Sequence, residues 1–188
     1  MALLTTPVCD FGKKAFDFKL SGVDGKSWSL AECMGTNGLL VMFICNHCPY
    51  VKAIQHRIVR DTDELKKLGI GSVAIMSNDP SEYPEDSFEN MKTLAKQLNF
   101  GFPYLFDETQ QVAKEYNAIC TPDFFGYNTN YELQYRGRLD SSGKETASTD
   151  NNRELFIAMK LIAEIGHGPE FQVPSMGCSI KWKSSHNQ

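Results

Sequence analysis

Cys45 and Cys48 are separated by two residues in the run Phe43-Ile44-Cys45-Asn46-His47-Cys48-Pro49, between a continuous apolar segment and an amphipathic one. Such a change of pattern marks a strand handing over to a helix. A cysteine at a helix N-terminus meets unpaired backbone N–H groups and the positive end of the helix dipole, which favours thiolate over thiol. Two thiols one turn apart close a small disulfide and reopen it through a mixed disulfide, the chemistry of a dithiol oxidoreductase. Cys45, expected to be the more exposed and close to the helix start, is the candidate nucleophile, and Cys48 the resolving thiol. The same spacing suits a zinc or copper site completed by His47, Cys120 or Cys178, because soft thiolates serve both chemistries.

The elements that must hold this pair follow from the apolar pattern. Leu39 to Ile44 lacks polar alternation and is short, as expected for a central strand covered on both faces. Val51, Ile54, Ile58, Leu65 and Leu68 then recur at helical intervals until Gly69 and Gly71. Ser72 to Met76 gives a second buried strand, which a right-handed crossover sets parallel to the first. Upstream, Phe16, Phe18 and Leu20, then Trp28 and Leu30, flank Asp24-Gly25 as a hairpin. Downstream, Phe88, Met91, Leu94, Ala95 and Leu98 mark a helix, Tyr104-Leu105-Phe106 a strand end, and Val112, Ala113 and Tyr116 a short helix. Asp123–Tyr127 and Glu132–Arg136 form an antiparallel hairpin about Asn128-Thr129-Asn130. Ser141 to Asn152 is polar and expected to be exposed. Leu155, Met159, Ile162 and Ile165 make the last helix, ended at Gly166. The tail 167–188 carries Phe171, Ile180 and Trp182 and is expected to lie back over the domain.

With 188 residues, 41% of them apolar and 22% charged, the chain suits one domain spanning 1–188, with a core over about 14–166. The net charge of −4 gives no reason to expect nucleic acid or an anionic membrane as partner. The first ten residues lack a basic region and an apolar core, so they do not read as a secretory signal, and Leu39 to Cys45 is too short to span a bilayer. A cytoplasmic address is expected. There the six cysteines are read as catalytic, metal-binding or buried rather than as a disulfide framework. No Gly-x-Gly-x-x-Gly run follows a strand, so no nicotinamide or flavin cofactor is assigned, and neither is a metal. Electrons are expected from protein or small-molecule thiols of the thioredoxin or glutathione type.

Phe16-Asp17-Phe18-Lys19-Leu20 with Asp24-Gly25-Lys26, then Cys45 to Cys48, then Thr121-Pro122, resembles the thioredoxin fold in its peroxiredoxin-like branch, the AhpC/TSA-related proteins. The resemblance implies an α/β thioredoxin fold with a mixed central sheet flanked by helices, an N-terminal hairpin and a C-terminal extension. It also implies that Pro122 is a cis-proline facing the dithiol and that Thr121 offers its backbone to an incoming peptide strand. Peroxiredoxins carry Thr or Ser three residues before a Cys-Pro pair, and an Arg that polarises the peroxide. Cys48-Pro49 matches the cysteine, but Cys45 stands at the Thr position, and Arg136 and Arg138 lie a hairpin away from where the Arg belongs. Thiol-disulfide exchange is therefore the expected activity. A thiol peroxidase and a zinc- or copper-binding protein of the same fold are the alternatives.

His47 occupies the position it has in oxidising enzymes with Cys-Pro-His-Cys sites, where it stabilises the thiolate. That likeness implies a couple more oxidising than thioredoxin's, about −270 mV. Cys120 and Cys178 are possible additional redox cysteines, Cys178 being carried by the tail toward Cys120 or the central pair. Cys9 and Cys33 are read as structural, His56, His167 and His186 as surface groups. Phe124, Phe125 and Tyr127 are read as packing residues. Glu32 and Asp107 are candidates for a carboxylate that helps to deprotonate the second thiol.

Overall fold

The computed structural model describes residues 2–145 and 152–184. Along the chain run β1 (Leu3–Thr5), the hairpin β2 (Lys19–Gly22) and β3 (Ser27–Ser29), the one-turn α1 (Leu30–Cys33), β4 (Gly38–Phe43), the long α2 (Pro49–Lys67) and β5 (Ile70–Met76). A 3-10 turn at Pro84–Asp86 leads to α3 (Phe88–Gln97), β6 (Tyr104–Phe106), α4 (Gln111–Glu115), β7 (Cys120–Thr121) and β8 (Asp123–Tyr127). The chain continues through β9 (Leu133–Tyr135), α5 (Glu154–Ile165) and β10 (Met176–Ser179).

The central sheet has the order β3-β2-β6-β5-β4-β8-β9, with β4, β5 and β6 parallel and the hairpins at both edges antiparallel. Every residue of β4 is buried, and its alternation divides the core in two. Leu40 and Met42 face α2, α3 and α5, whereas Leu39, Val41 and Phe43 face α1 and α4. Each such side chain contributes about 1.5–3 kcal/mol on burial. Phe124, Phe125 and Tyr127 all pack in this core, and Phe43, Tyr116 and Phe125 meet edge-on or tilted at 5.5–5.7 Å.

Helix α2 aims its N-terminus at the end of β4. Pro49 occupies its first position, where a missing N–H costs least, and Lys66 and Lys67 sit in its last turn, where they complement the dipole. Gly69, at φ +78°, then turns the chain into β5. The two βα junctions at the carboxyl ends of β4 and β5 consequently face each other.

The tail does more than lie back over the domain. β10 inserts between β1 and β7 to make a second, three-stranded antiparallel sheet, with Leu3 opposite Cys178 and Cys178 opposite Thr121. The polar loop after Leu139 is exposed at Ser141, Gly143 and Lys144, while most of its remainder, 146–151, and His186 lie outside the described residues. No helix among the described residues is long and apolar enough to cross a membrane.

Candidate functional site: a buried dithiol between a carboxylate and a cis-proline

Between the last residue of β4 and the first of α2 the chain makes a short turn, Ile44 to Cys48, and one carboxylate holds it. Asp86, fully buried, accepts hydrogen bonds from the backbone N–H groups of Asn46 (2.8 Å) and His47 (3.0 Å) through Oδ1. Its Oδ2 takes the His47 Nδ1 contact at 2.5 Å and the Asn78 amide at 2.8 Å. The Asn46 side chain bridges the same region, donating to the Glu85 carbonyl (2.8 Å) and accepting from the Tyr104 hydroxyl (3.0 Å). The His47 ring stacks on Tyr83 at 4.2 Å, and its Nε2 is buried without a partner among the described residues.

Cys45 and Cys48 are both buried, at 1% and 0% exposure. Neither thiol is exposed, so the exposure expected of Cys45 is absent and does not distinguish the pair. The turn is pulled inward by Asp86, and the tail covers the side from which solvent would enter. It is also Cys48, not Cys45, that caps α2. The two thiols consequently prefer opposite charge states. Cys48 is held down to about 4, first by the hydrogen bond from Cys45, then by the Cys178 thiol and the backbone N–H groups of Val51 and Cys178, which together outweigh its burial. Cys45 is pushed well above 9.0 by burial, by keeping its proton as donor toward the Cys48 sulfur, and by the Asp86 carboxylate nearby. When protonated, Cys48 donates to the Thr121 carbonyl oxygen at 3.2 Å; that oxygen opposes the thiolate, but four donors stand against it.

The opposite wall is the β7–β8 junction. The Thr121–Pro122 peptide bond is cis, and the Thr121 hydroxyl lies 3.3 Å from the Cys45 sulfur. Thr121 and Pro122 therefore face the thiol pair. The backbone edge that Thr121 was expected to offer to a peptide is taken by β10 in this structure. Cys178, on that strand opposite Thr121, packs in the same core cluster as Cys45 and Cys48 and is raised to about 12 by burial and by the Cys48 sulfur. Cys120 points the other way along β7. Its thiol meets the Pro122 carbonyl at 3.8 Å, and burial raises it above the ordinary range.

The remaining candidates lie elsewhere. Glu32 completes the capping box of α1 with Ser29, and Asp107 receives the Ser77 hydroxyl and the Ala113 N–H, so neither reaches the thiols. Asp86 is the carboxylate at the site, and sequence reasoning missed it. Arg136 is spent on Asp123 (2.9 Å) and Arg138 on Glu154 (2.6 Å), leaving neither arginine to polarise a substrate at Cys48. Cys9 is raised to about 11 and Cys33 to about 12 by burial, as structural thiols are, and His56 and His167 are exposed.

Cys45, His47 and Asp86 offer ligand atoms within 4.8 Å of one another. Two ligands on a tetrahedral zinc at about 2.0–2.1 Å stand about 3.3 Å apart. The 2.5 Å His47–Asp86 contact is therefore a direct hydrogen bond with no room for an ion between the two atoms. A cleft of about 350 Å³ opens beside Pro122, between Tyr50 and Ile54 of α2 and Ser175 and Met176 of the tail.

The description "AhpC/TSA family" matches residues 11–142, which include β2 through β9 and the whole dithiol site. The chain belongs to the AhpC/TSA family. An uncharacterized conserved protein from Geobacillus kaustophilus is 44% identical, with 98% of both chains covered and a TM-score of 0.92. A hypothetical protein from Sinorhizobium meliloti is 35% identical, covering 96% of this chain and 98% of its own, at a TM-score of 0.87. The peroxidoxin BcpB from Mycobacterium tuberculosis, 16% identical over 65% of this chain and 81% of its own, shares the thioredoxin fold at a TM-score of 0.55. No curated protein matches the chain. This AhpC/TSA chain is thus a thioredoxin-fold redox protein, of a kind that includes thiol oxidoreductases and peroxidases.

Proposed function

We propose that the protein is a thiol-disulfide oxidoreductase that cycles between the Cys45, Cys48 dithiol and a Cys45–Cys48 disulfide. The observation that carries this reading is the placement of both sulfurs against one residue of the cis-proline loop at the cap of a long helix, Cys45 at 3.3 Å from the Thr121 hydroxyl and Cys48 at 3.2 Å from its carbonyl oxygen. Such a pair is one bond from a disulfide. The Cys48 thiolate attacks a substrate disulfide, one S–S bond breaks, and the first substrate sulfur leaves as thiolate. Cys45 then gives its proton to that leaving group and, as thiolate, attacks Cys48 of the mixed disulfide, whose second substrate sulfur leaves as thiolate. The roles are thus the reverse of those read from the sequence, because charge rather than exposure distinguishes the two sulfurs. The reverse reaction hands the disulfide to an incoming thiol. In a reducing, cytoplasmic setting, glutathione- or thioredoxin-type thiols supply the electrons.

The test is a redox titration of the purified protein with alkylation and mass spectrometry. A two-electron transition joining Cys45 to Cys48 is expected between about −270 and −120 mV. The Cys45→Ser/Cys178→Ser variant, which lacks both neighbouring thiols, should accumulate a mixed disulfide on Cys48. A pair that stays fully reduced across that range, together with an empty trap in this double variant, would overturn the reading.

One observation favours peroxidase chemistry as the second reading: the thiolate is Cys48, the cysteine followed by Pro49 at the helix start. There Cys48 would take one oxygen from a hydroperoxide, releasing the alcohol, and Cys45 would condense with the sulfenic acid and release water. Both arginines near the site are paired away from it, which places this reading second. Consumption of hydroperoxide faster than exchange with disulfides would put it first.

A further inference from the structure

The three-stranded sheet places a third cysteine beside the dithiol. β10 runs antiparallel to β7 with Cys178 opposite Thr121 and Ser179 opposite Cys120. Its approach is unusually close. A Cβ on Gly177 would stand 2.0 Å from the Thr121 carbonyl oxygen and 3.0 Å from the Pro122 nitrogen, so only glycine lets the strand lie flush on the cis-proline loop. Ser175 adds a hydroxyl bond to the Pro122 carbonyl (2.8 Å), and Thr6 donates its N–H to the Ser175 carbonyl (2.9 Å). An extended segment paired on the edge of the loop facing a dithiol, its own thiol opposite Thr121 and packed in the same core cluster as Cys45 and Cys48, has the geometry of a peptide substrate added as a strand.

We propose that β10 is an internal substrate strand, filling the peptide edge of the active site with its own thiol, Cys178, which exchanges with the Cys45–Cys48 disulfide. The inference rests on the proposed exchange chemistry of that pair. In the step, the Cys178 sulfur attacks Cys48, the Cys45–Cys48 bond breaks, a Cys48–Cys178 bond forms, and the Cys178 proton ends on Cys45. No net oxidation occurs. The oxidised protein therefore holds two disulfide isomers in equilibrium, one wholly within the turn and one tying the tail to α2. An outside peptide reaches the edge only when β10 lifts, so the strand also selects against protein substrates that cannot displace it.

Disulfide mapping on the intact wild-type chain tests this without altering any side chain. Protein oxidised with glutathione disulfide, acid-quenched, alkylated and digested should yield both Cys45–Cys48 and Cys48–Cys178 peptides. In Cys45→Ser, where the first isomer cannot form, oxidation should join Cys48 to Cys178 and remove both from the alkylatable thiols. In Gly177→Ala the added methyl group should push β10 off the loop and raise the alkylation rate of Cys48 in the reduced protein by roughly tenfold or more. Cys45–Cys48 found alone in the wild type, with Cys178 still alkylatable in oxidised Cys45→Ser, would overturn the internal strand and leave the dithiol reading intact. The absence of any disulfide among the three sulfurs would overturn the dithiol reading itself. An unchanged alkylation rate in folded Gly177→Ala would show that the strand does not guard Cys48.

Discussion

The two halves of the site are equally buried and three residues apart, yet they treat negative charge in opposite ways. The Cys45 half is a turn clamped from below by a carboxylate, and the N–H groups of Asn46 and His47 already point at Asp86. The Cys48 half is a helix cap whose donors point at sulfur. Burial alone would raise both thiols alike. What separates them is first the Cys45 S–H, which favours charge on Cys48, and then which acceptor receives the local N–H groups, the Asp86 oxygen or the Cys48 sulfur. A pair built in this way keeps one nucleophile charged and one proton in reserve, without a dedicated base.

The Cys45 half depends most heavily on Asp86. Asp86→Ala removes the acceptor for two backbone amides, the His47 ring and the Asn78 side chain, all of them buried. Stranding these donors should cost about 3–5 kcal/mol in urea unfolding, the scale for a buried charged partner removed on its own. Asp86→Asn keeps an oxygen for the two amides and should cost less than half of that. Equal losses in the two variants would show that the carboxylate's charge, and not its acceptor role, holds the turn.

How much of this was readable beforehand follows the length of each element. The central sheet was legible because Leu39 to Ile44 and Ser72 to Met76 are apolar runs with a helical stripe between them, and Gly69 and Gly166 end their helices at positive φ as their residue type suggests. The thiol pair, Thr121 and the cis-Pro122 that faces it were likewise legible, since motif and order carry them. The second sheet was not. β1, β7 and β10 are strands of two to four residues with no alternation long enough to register as a period. Asp86 was missed because it stands 38 positions beyond Cys48 in a Pro- and Glu-containing loop that reads as solvated. The available signal was topological. In a parallel β4–β5 pair the loops at the carboxyl ends lie side by side, so a carboxylate after β5 belongs near the dithiol.

The next test sharpens the contrast between the sulfurs. The Cys45 S–H is the foremost reason that Cys48 ionises, so Cys45→Ala should move the Cys48 titration from about 4 up toward 9.0, read by thiolate absorbance in the ultraviolet or by alkylation rate against pH. Stability carries the same sign. A thiol whose folded pKa is depressed stabilises the fold fully above its unfolded value and loses that contribution as pH falls through the folded one. The reduced wild type should therefore gain stability over Cys48→Ala as pH rises from about 4 to 9, and the gain should shrink in Cys45→Ala. A Cys48 titration unmoved by loss of Cys45 would assign the thiolate to the helix cap alone.

His47 gives the smallest effect, and it separates the structure from the resemblance. In the oxidising Cys-Pro-His-Cys enzymes the histidine stabilises the thiolate itself. Here His47 Nδ1 is committed to Asp86 at 2.5 Å and stands 3.8 Å from the Cys45 sulfur, the protonated member of the pair. Its influence on Cys48 must pass through Asp86, whose charge bears on Cys45. The donors at Cys48 stabilise the reduced form, so the wild-type couple should lie above thioredoxin's about −270 mV. His47→Gln, checked for folding by circular dichroism, should shift that value by less than about 30 mV. A fall of about 60 mV or more would mean that the imidazole acts on the thiolate directly, and the charge separation between the two sulfurs would then owe more to the ring than to the helix cap.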